Sequence, residues 1–201
     1  MEFVKEFVTF LHQKEIIKFG DFTLASGKSS SYYVDLRLVP SYPQEFRMMV
    51  KYPENQITED IGLENFESIV SVPTGGLVIA SALAIETVKP LIYVRSKPKD
   101  YGTSKSVEGK IHDGMKVVMI DDVATTGGSV LNATKSLTEV NIPVKDAYVI
   151  VDRMEGATEA LQELGVKMHS ILNILQIAEV LYEQKLIGVD ILDKVKQQIS
   201  K

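Results

Sequence analysis

One segment limits what this chain can fold into more than any other: Val117-Val118-Met119-Ile120-Asp121-Asp122-Val123-Ala124-Thr125-Thr126-Gly127-Gly128-Ser129. Its unbroken apolar start reads as a strand buried on both faces, and such strands belong to parallel sheets covered by helices on either side. The rest of the chain supplies the alternation that this requires. Ile69 to Val72 is a short apolar run, followed by a helical stretch from Leu77 to Thr87 and a strand from Leu91 to Val94. Beyond Ile120, the periodicity predicts a helix from about Gly128 to Glu139 and strands over Val144–Val151 and Lys167–Leu172, with Ala157–Leu164 helical between them. Strand and helix in repeated alternation imply an α/β fold with a central parallel sheet flanked by helices.

The ends of the chain differ from this middle. Phe3, Val4, Phe7, Val8 and Leu11, set among charged residues, form the stripe of an amphipathic helix within residues 1–19. A polar run, Ala25 to Ser31, separates it from a strand expected at Tyr32–Val39. Ser41 and Pro43 suit the start of a further helix, which Pro53 is expected to end or kink. Two more helices are expected in the tail, Gln176–Ile187 and Val189–Ser200, with Gly188 between them. The whole chain, 1–201, is expected to form a single domain, with a small hood made from about residues 1–40.

Bulk properties narrow the function. A net charge of −5 argues against a nucleic-acid partner, because a phosphate backbone calls for a basic face. With no cysteine in the chain, disulfides, thiol catalysis and cysteine-ligated zinc are excluded, and a reducing cytoplasm is the expected compartment. No apolar stretch approaches the roughly 20 residues that cross a bilayer, so no membrane partner is expected.

In open α/β sheets ligands sit beyond the carboxyl ends of the strands, where Asp121 and Asp122 stand. The small residues after them can aim backbone N–H groups and hydroxyls at one phosphate, aided by a helix N-terminus. The carboxylates are acceptors suited to a sugar diol or hydrated magnesium. Alone, such a pair also reads as solvated strand-end acids before a helix cap. Taken whole, the string resembles the phosphoribosyl-diphosphate motif of type I phosphoribosyltransferases. The resemblance implies that Asp121 and Asp122 hold the ribose hydroxyls. Val123, Ala124, Thr125, Thr126, Gly127, Gly128 and Ser129 would then cradle the 5-phosphate, with Thr125 also near the base.

A second segment, Arg95 to Gly109, follows a strand without regular periodicity, and places four cations, Arg95, Lys97, Lys99 and Lys105, in an acidic protein. A charge run alone is ordinarily a solvated loop. This one resembles the catalytic loop of orotate phosphoribosyltransferases, in which cations contact the diphosphate. Arg95 and Lys99 match that pattern, with Lys97 beside them. Tyr101 stands where the bacterial form has His, and it can donate a hydrogen bond without carrying positive charge near neutrality.

The stretch from Phe22 to Asp35 resembles the base-recognition hood of the same family. Its flanking positions map to Tyr33 and Val34, and Lys28 is the candidate replacement for a lysine the bacterial form carries at the position of Ala25. Arg153, after the strand that ends at Val151, matches the arginine set against the orotate carboxylate, a partner that its planar fork fits. Thr74 and Gly75, in Pro73-Thr74-Gly75-Gly76, match the pyrophosphate loop, where the family has a strained or cis peptide.

These resemblances imply an enzyme that joins orotate to the ribose of 5-phosphoribosyl-1-diphosphate, giving orotidine 5'-monophosphate and pyrophosphate. Mg2+ would act through substrate oxygens and water, with no direct protein ligand. Arg95, Lys97, Lys99, Tyr101 and Asp122 would be the catalytic groups, Asp122 as a proton relay. A homodimer sharing the catalytic loop across its interface is also implied. The alternatives are a purine or uracil phosphoribosyltransferase and a non-catalytic phosphoribosyl-diphosphate-binding regulator.

Overall fold

The computed structural model describes residues 2–23, 27, 29–95 and 106–200. It falls into two compact units, Arg47–Ile171 and a smaller one made of Met1–Phe46 with Leu172–Lys201.

The larger unit carries the expected sheet. Its strands are β3 (Ser68–Ser71), β4 (Leu91–Val94), β5 (Val107–Glu108), β6 (Val117–Ala124), β7 (Val144–Asp152) and β8 (Lys167–Asn173), in the order β5-β4-β3-β6-β7-β8. The pairs β3–β4, β3–β6 and β6–β7 are parallel, and the short β4–β5 edge pair is antiparallel. The four residues of β3 and the first five of β6 are all buried, as runs without polar alternation require when helices cover both faces. The connecting helices are α3 (Gly75–Glu86), α4 (Gly128–Thr138) and α5 (Ala157–Gln162). Ile92, Met119, Val130, Leu137, Ala147 and Leu161 belong to one apolar core between these layers.

Three details of this part of the chain differ from the sequence reading. The acid pair lies inside β6, which runs on through Ala124, because Val123 and Ala124 continue to pair with Val151 and Asp152 of β7. Val107 and Glu108, expected in a loop, pair with Val94 and Tyr93 as the edge strand β5. Helix α2 (Pro43–Asp60) continues through Pro53, which is buried along with Met49, Val50 and Ile57. Burial of that apolar face outweighs the one backbone hydrogen bond that the proline ring removes.

In the smaller unit, α1 (Glu2–Gln13) stops short of Phe19, which instead lies in β1 (Ile17–Thr23). β1 pairs antiparallel with β2 (Ser29–Val34) across an irregularity between Phe19 and Phe22. The expected strand residues 36–39 form part of a 3-10 helix, Leu36–Ser41, capped by the Asp35 side chain. The tail helices α6 (Ile174–Glu183) and α7 (Val189–Ile199) belong to this unit. A capping box of Asn173 and Gln176 starts α6. On α7, Gln198 accepts the Ser31 backbone N–H at 2.7 Å, tying the tail to β2. Thr9 of α1 donates to Gln184 at 2.7 Å, just beyond α6. No described helix is long and apolar enough to cross a membrane.

Candidate active site

The site in the larger unit is built where β6 meets the start of α3. Asp121 is 5% exposed, and its Oδ1 accepts the Asp122 backbone N–H at 2.9 Å. Burial pushes the Asp121 carboxyl well above the usual carboxylate range, and the neighbouring Asp122 charge pushes it further. Asp122 is half-buried one residue on. Against this pair lie two glycines of α3. A Cβ on Gly75 would collide with the Asp122 carboxylate, and one on Gly76 would collide with Asp121 Oδ1 and approach Ser71 Oγ to 2.9 Å. Ser71 Oγ in turn donates to the Ile120 carbonyl at 2.7 Å, fastening β3 to β6 just before the acids. The peptide bond between Pro73 and Thr74 is cis. Thr74 is exposed and Gly75 buried, so the turn that resembles a pyrophosphate loop is packed directly on the acid pair.

Beyond Ala124 the chain bends through Thr125, Thr126 and Gly127 into α4. Gly127 holds φ +73°, a left-handed conformation, and precedes the first turn of the helix. Thr126, Gly128 and Ser129 are exposed and Thr125 half-buried, so the loop offers small polar groups at a helix N-terminus. That is the chemistry of an anion cradle.

β7 delivers Arg153 to the same region. Its backbone N–H donates to the Ala124 carbonyl at 2.9 Å, joining it to the phosphate-type loop. The guanidinium is paired with Glu155, whose Oε1 accepts from Nε at 3.1 Å and from Nη2 at 2.9 Å. Before it, Asp152 accepts the Met154 N–H at 2.8 Å, and burial raises its carboxyl above the ordinary range.

Arg95 sits at the mouth of the β4–β5 hairpin. Its N–H donates to the Ser106 carbonyl at 2.8 Å and its Nη1 meets Glu108 at 3.3 Å. Lys97, Lys99 and Tyr101 fall outside the described residues, as does Lys28.

Tyr33 and Val34 belong to the smaller unit. Successive strand residues face opposite ways, and Val34 shares its side of β2 with Ser30 and the fully buried Tyr32. Tyr33 faces the other side, its ring 5.9 Å from that of Phe22. Its hydroxyl lies 3.4 Å from Nη2 of Arg37, which forms a two-oxygen fork with Asp35 at 2.6 and 2.8 Å. The Arg37 hydrogen bonds hold the Asp35 carboxyl below its usual range.

Gly76, Glu155 and Arg37 escaped the sequence reading. Gly76 was within a quoted motif but had no assigned role. Glu155 and Arg37 each stand two residues from an acid or base that had been noted, and only their hydrogen bonds distinguish them from surface charges.

The sheet order, the acid pair on its central strand and the glycine-lined loops define a phosphoribosyltransferase, and residues 49–179 match the family model described as "Phosphoribosyl transferase domain". The chain belongs to the orotate phosphoribosyltransferase family. It is 47% identical over 196 residues, 98% of each chain, to an orotate phosphoribosyltransferase of Cenarchaeum symbiosum. The crystal structure of orotate phosphoribosyltransferase from Aeropyrum pernix superposes with a TM-score of 0.76 at 34% identity, covering 90% of this chain and 99% of that one. The Leishmania donovani UMP synthase structure aligns with a TM-score of 0.84 at 30% identity, covering 98% of this chain but 42% of that longer one.

Proposed function

We propose that this protein transfers the phosphoribosyl group of 5-phosphoribosyl-1-diphosphate to N1 of orotate, forming orotidine 5'-monophosphate and pyrophosphate in pyrimidine biosynthesis. The observation that carries this reading is the packing of side-chain-free Gly75 and Gly76 onto the Asp121–Asp122 pair, beside the Gly127 loop. Any bulkier residue at either glycine would collide with the acids themselves. A sugar diphosphate would set its hydroxyls on those carboxylates and its 5-phosphate on the loop amides.

Orotate N1 gives up its proton, which Asp122 is assigned to relay, and bonds to the anomeric carbon as the bond from that carbon to the pyrophosphate oxygen breaks, the electron pair leaving with pyrophosphate. Positive charge grows on the sugar and negative charge on the leaving group, so catalysis rests on preorganised charge and exclusion of water. Asp121 and Asp122 orient the ribose hydroxyls, and Asp122 is assigned the proton relay. Val123 to Ser129 hold the 5-phosphate, and Thr74 and Gly75 the diphosphate. Arg95, Lys97, Lys99 and Tyr101 are assigned to the leaving group on motif resemblance. Arg153 takes the orotate carboxylate, and Lys28, Tyr33, Val34 and Thr125 are assigned to the base on the same ground. Of Tyr33 and Val34, the strand geometry favours Tyr33, since Val34 shares the side of buried Tyr32.

The donor set suits magnesium bound chiefly through substrate and water. Two adjacent carboxylates, Asp121 and Asp122, are hard oxygen donors of the kind the ion accepts. Bound there, the ion would neutralise diphosphate charge. A cytoplasmic homodimer with a shared catalytic loop completes the reading. The exposed apolar side chains Val78 (39%) and Ile85 (79%) on α3, which begins at the acid pair, favour an interface there; the shared loop and the compartment rest on resemblance to the family.

The deciding assay follows orotate absorbance with 5-phosphoribosyl-1-diphosphate and magnesium, alongside uracil, adenine and hypoxanthine. Magnesium-dependent consumption of orotate alone is expected. Turnover of another base in its place, or none of any, overturns the reading. Arg153→Ala is expected to raise the orotate KM by roughly 10- to 100-fold, as loss of a charged fork does, with the sugar-diphosphate KM little changed.

A further inference from the structure

The Arg153 side chain is 7% exposed and that of its Glu155 partner 17%, so a nearly buried cation is matched by an anion closer to solvent. Glu155 Oε1 accepts from Arg153 Nε at 3.1 Å and from Nη2 at 2.9 Å. The same chain shows what a full fork looks like: Arg37 places Nε on Asp35 Oδ1 at 2.6 Å and Nη2 on Oδ2 at 2.8 Å. The Arg153 pair uses the same guanidinium edge, Nε with Nη2, at longer distances, and an arriving carboxylate can offer two oxygens to that edge.

Glu155 also stands outside the regular elements. It lies in a bend between Met154, at φ +57°, and Gly156, at φ +96°, before α5 begins at Ala157. Arg153, by contrast, is fixed through its backbone to Ala124 at 2.9 Å. The cation is anchored and the anion sits on a turn.

We propose that Glu155 is a carboxylate placeholder: it neutralises Arg153 while the base site is empty and gives up the guanidinium edge to the carboxylate of the pyrimidine ligand. This rests on the reading of Arg153 as the orotate-carboxylate ligand. A buried guanidinium without a counter-ion is costly, so the placeholder stabilises the free protein. Because each ligand carboxylate must displace it, it also weakens carboxylate binding. Glu155 is thus a specificity-setting residue that tunes how strongly the site prefers a base with a carboxylate over one without.

Orotidine 5'-monophosphate and uridine 5'-monophosphate differ only by that carboxylate, so their affinity ratio reads out the exchange. Titration calorimetry and thermal melts with both nucleotides, on wild type, Glu155→Gln and Arg153→Ala, test it. In Glu155→Gln the ligand-free protein is expected to melt about 2–4 °C lower. Its affinity ratio is expected to rise by roughly 3- to 10-fold, the range for a charged hydrogen bond no longer lost to competition. The melting shift produced by orotidine 5'-monophosphate should grow correspondingly, and that from uridine 5'-monophosphate should not. A purely structural role lowers the melting temperature and leaves the ratio alone. An unchanged or smaller ratio in Glu155→Gln, with the ratio collapsed in Arg153→Ala, overturns the placeholder but leaves Arg153 as the ligand. A wild-type ratio in Arg153→Ala removes the base reading itself. Should Glu155→Gln not fold, Glu155→Asp keeps the charge at shorter reach, and a raised ratio is again expected. An unraised one overturns the proposal.

Discussion

Gly76 lies so close to Asp121 that a Cβ on it would strike the Asp121 Oδ1 and stand 2.9 Å from the Asp121 Cα. The neighbouring obstacle, Ser71 Oγ, is equally near and is held by its bond to Ile120. Relief would therefore require movement of β6 backbone. Gly76→Ala is expected to cost about 1–3 kcal/mol of stability, as overpacking does, and to weaken 5-phosphoribosyl-1-diphosphate binding more than about tenfold through displaced acids. Gly128→Ala is the control, since the nearest atom to its Cβ is Thr126 Oγ1 at 3.9 Å. Its stability should stay within about 0.5 kcal/mol of wild type or rise slightly. Urea melts and calorimetry with the sugar diphosphate measure both; equal stability for the two variants contradicts the packing account.

Burial raises the Asp121 carboxyl above its unfolded value, so the fold favours the neutral acid. The associated stability is fully present below the ordinary carboxylate value and declines as pH climbs through the raised one. Asp121→Asn removes that decline. Its melting temperature should fall less than wild type's between acid and neutral pH, while turnover is lost. Parallel melting profiles for the two proteins would count against a titrating Asp121.

Asp35 behaves in the opposite sense, because hydrogen bonds from Arg37 depress its carboxyl. The stability it contributes is present above the ordinary carboxylate value and disappears as pH falls through the depressed one. Arg37 is 58% exposed on its side chain, so solvent screening limits the effect. Arg37→Ala should lose about 0.5–1 kcal/mol at neutral pH and converge with wild type in acid. A constant gap across the pH range would assign the loss to packing instead.

His169 is inserted between Asp60, at 3.1 Å from Nδ1, and Asp146, at 2.9 Å from Nε2, and stacks on the Tyr148 ring at 4.3 Å. Tyr148 itself donates to Asp60 at 3.1 Å, and burial followed by the Asp60 charge raises its hydroxyl. The group joins the end of α2 to β7 and β8. His169→Ala leaves both acids without the ring and should cost about 2–4 kcal/mol. Chemical denaturation measures the loss; initial rates at temperatures well below the melt should keep both KM values, and altered KM values would place the group within the substrate path.

Much of the site was legible because its signal is local. Apolar Val117–Ile120, the adjacent acids and the Thr-Gly run state strand, acceptor pair and anion loop in consecutive residues, and each has a direct physical meaning. Pro53 was misleading for the converse reason. Its local penalty is real, but burial beside Met49 and Ile57, which depends on distant chain, outweighed it. The edge strand β5 was invisible because two residues show no periodicity; pairing with Tyr93 and Val94 makes them a strand.

In the larger unit, apart from β5, the succession of strands and helices followed from sequence, and so did the candidate phosphate-type and carboxylate residues, since hydrophobic period and side-chain type act over a few residues. Only the tertiary structure decided that Gly76 must lack a side chain, that Arg153 is already matched by Glu155, and that Tyr33 and Val34 face opposite ways. It also joined the tail to the N-terminal strands through Gln198. Those facts depend on distances between atoms that the chain brings together only on folding, and no local pattern encodes them.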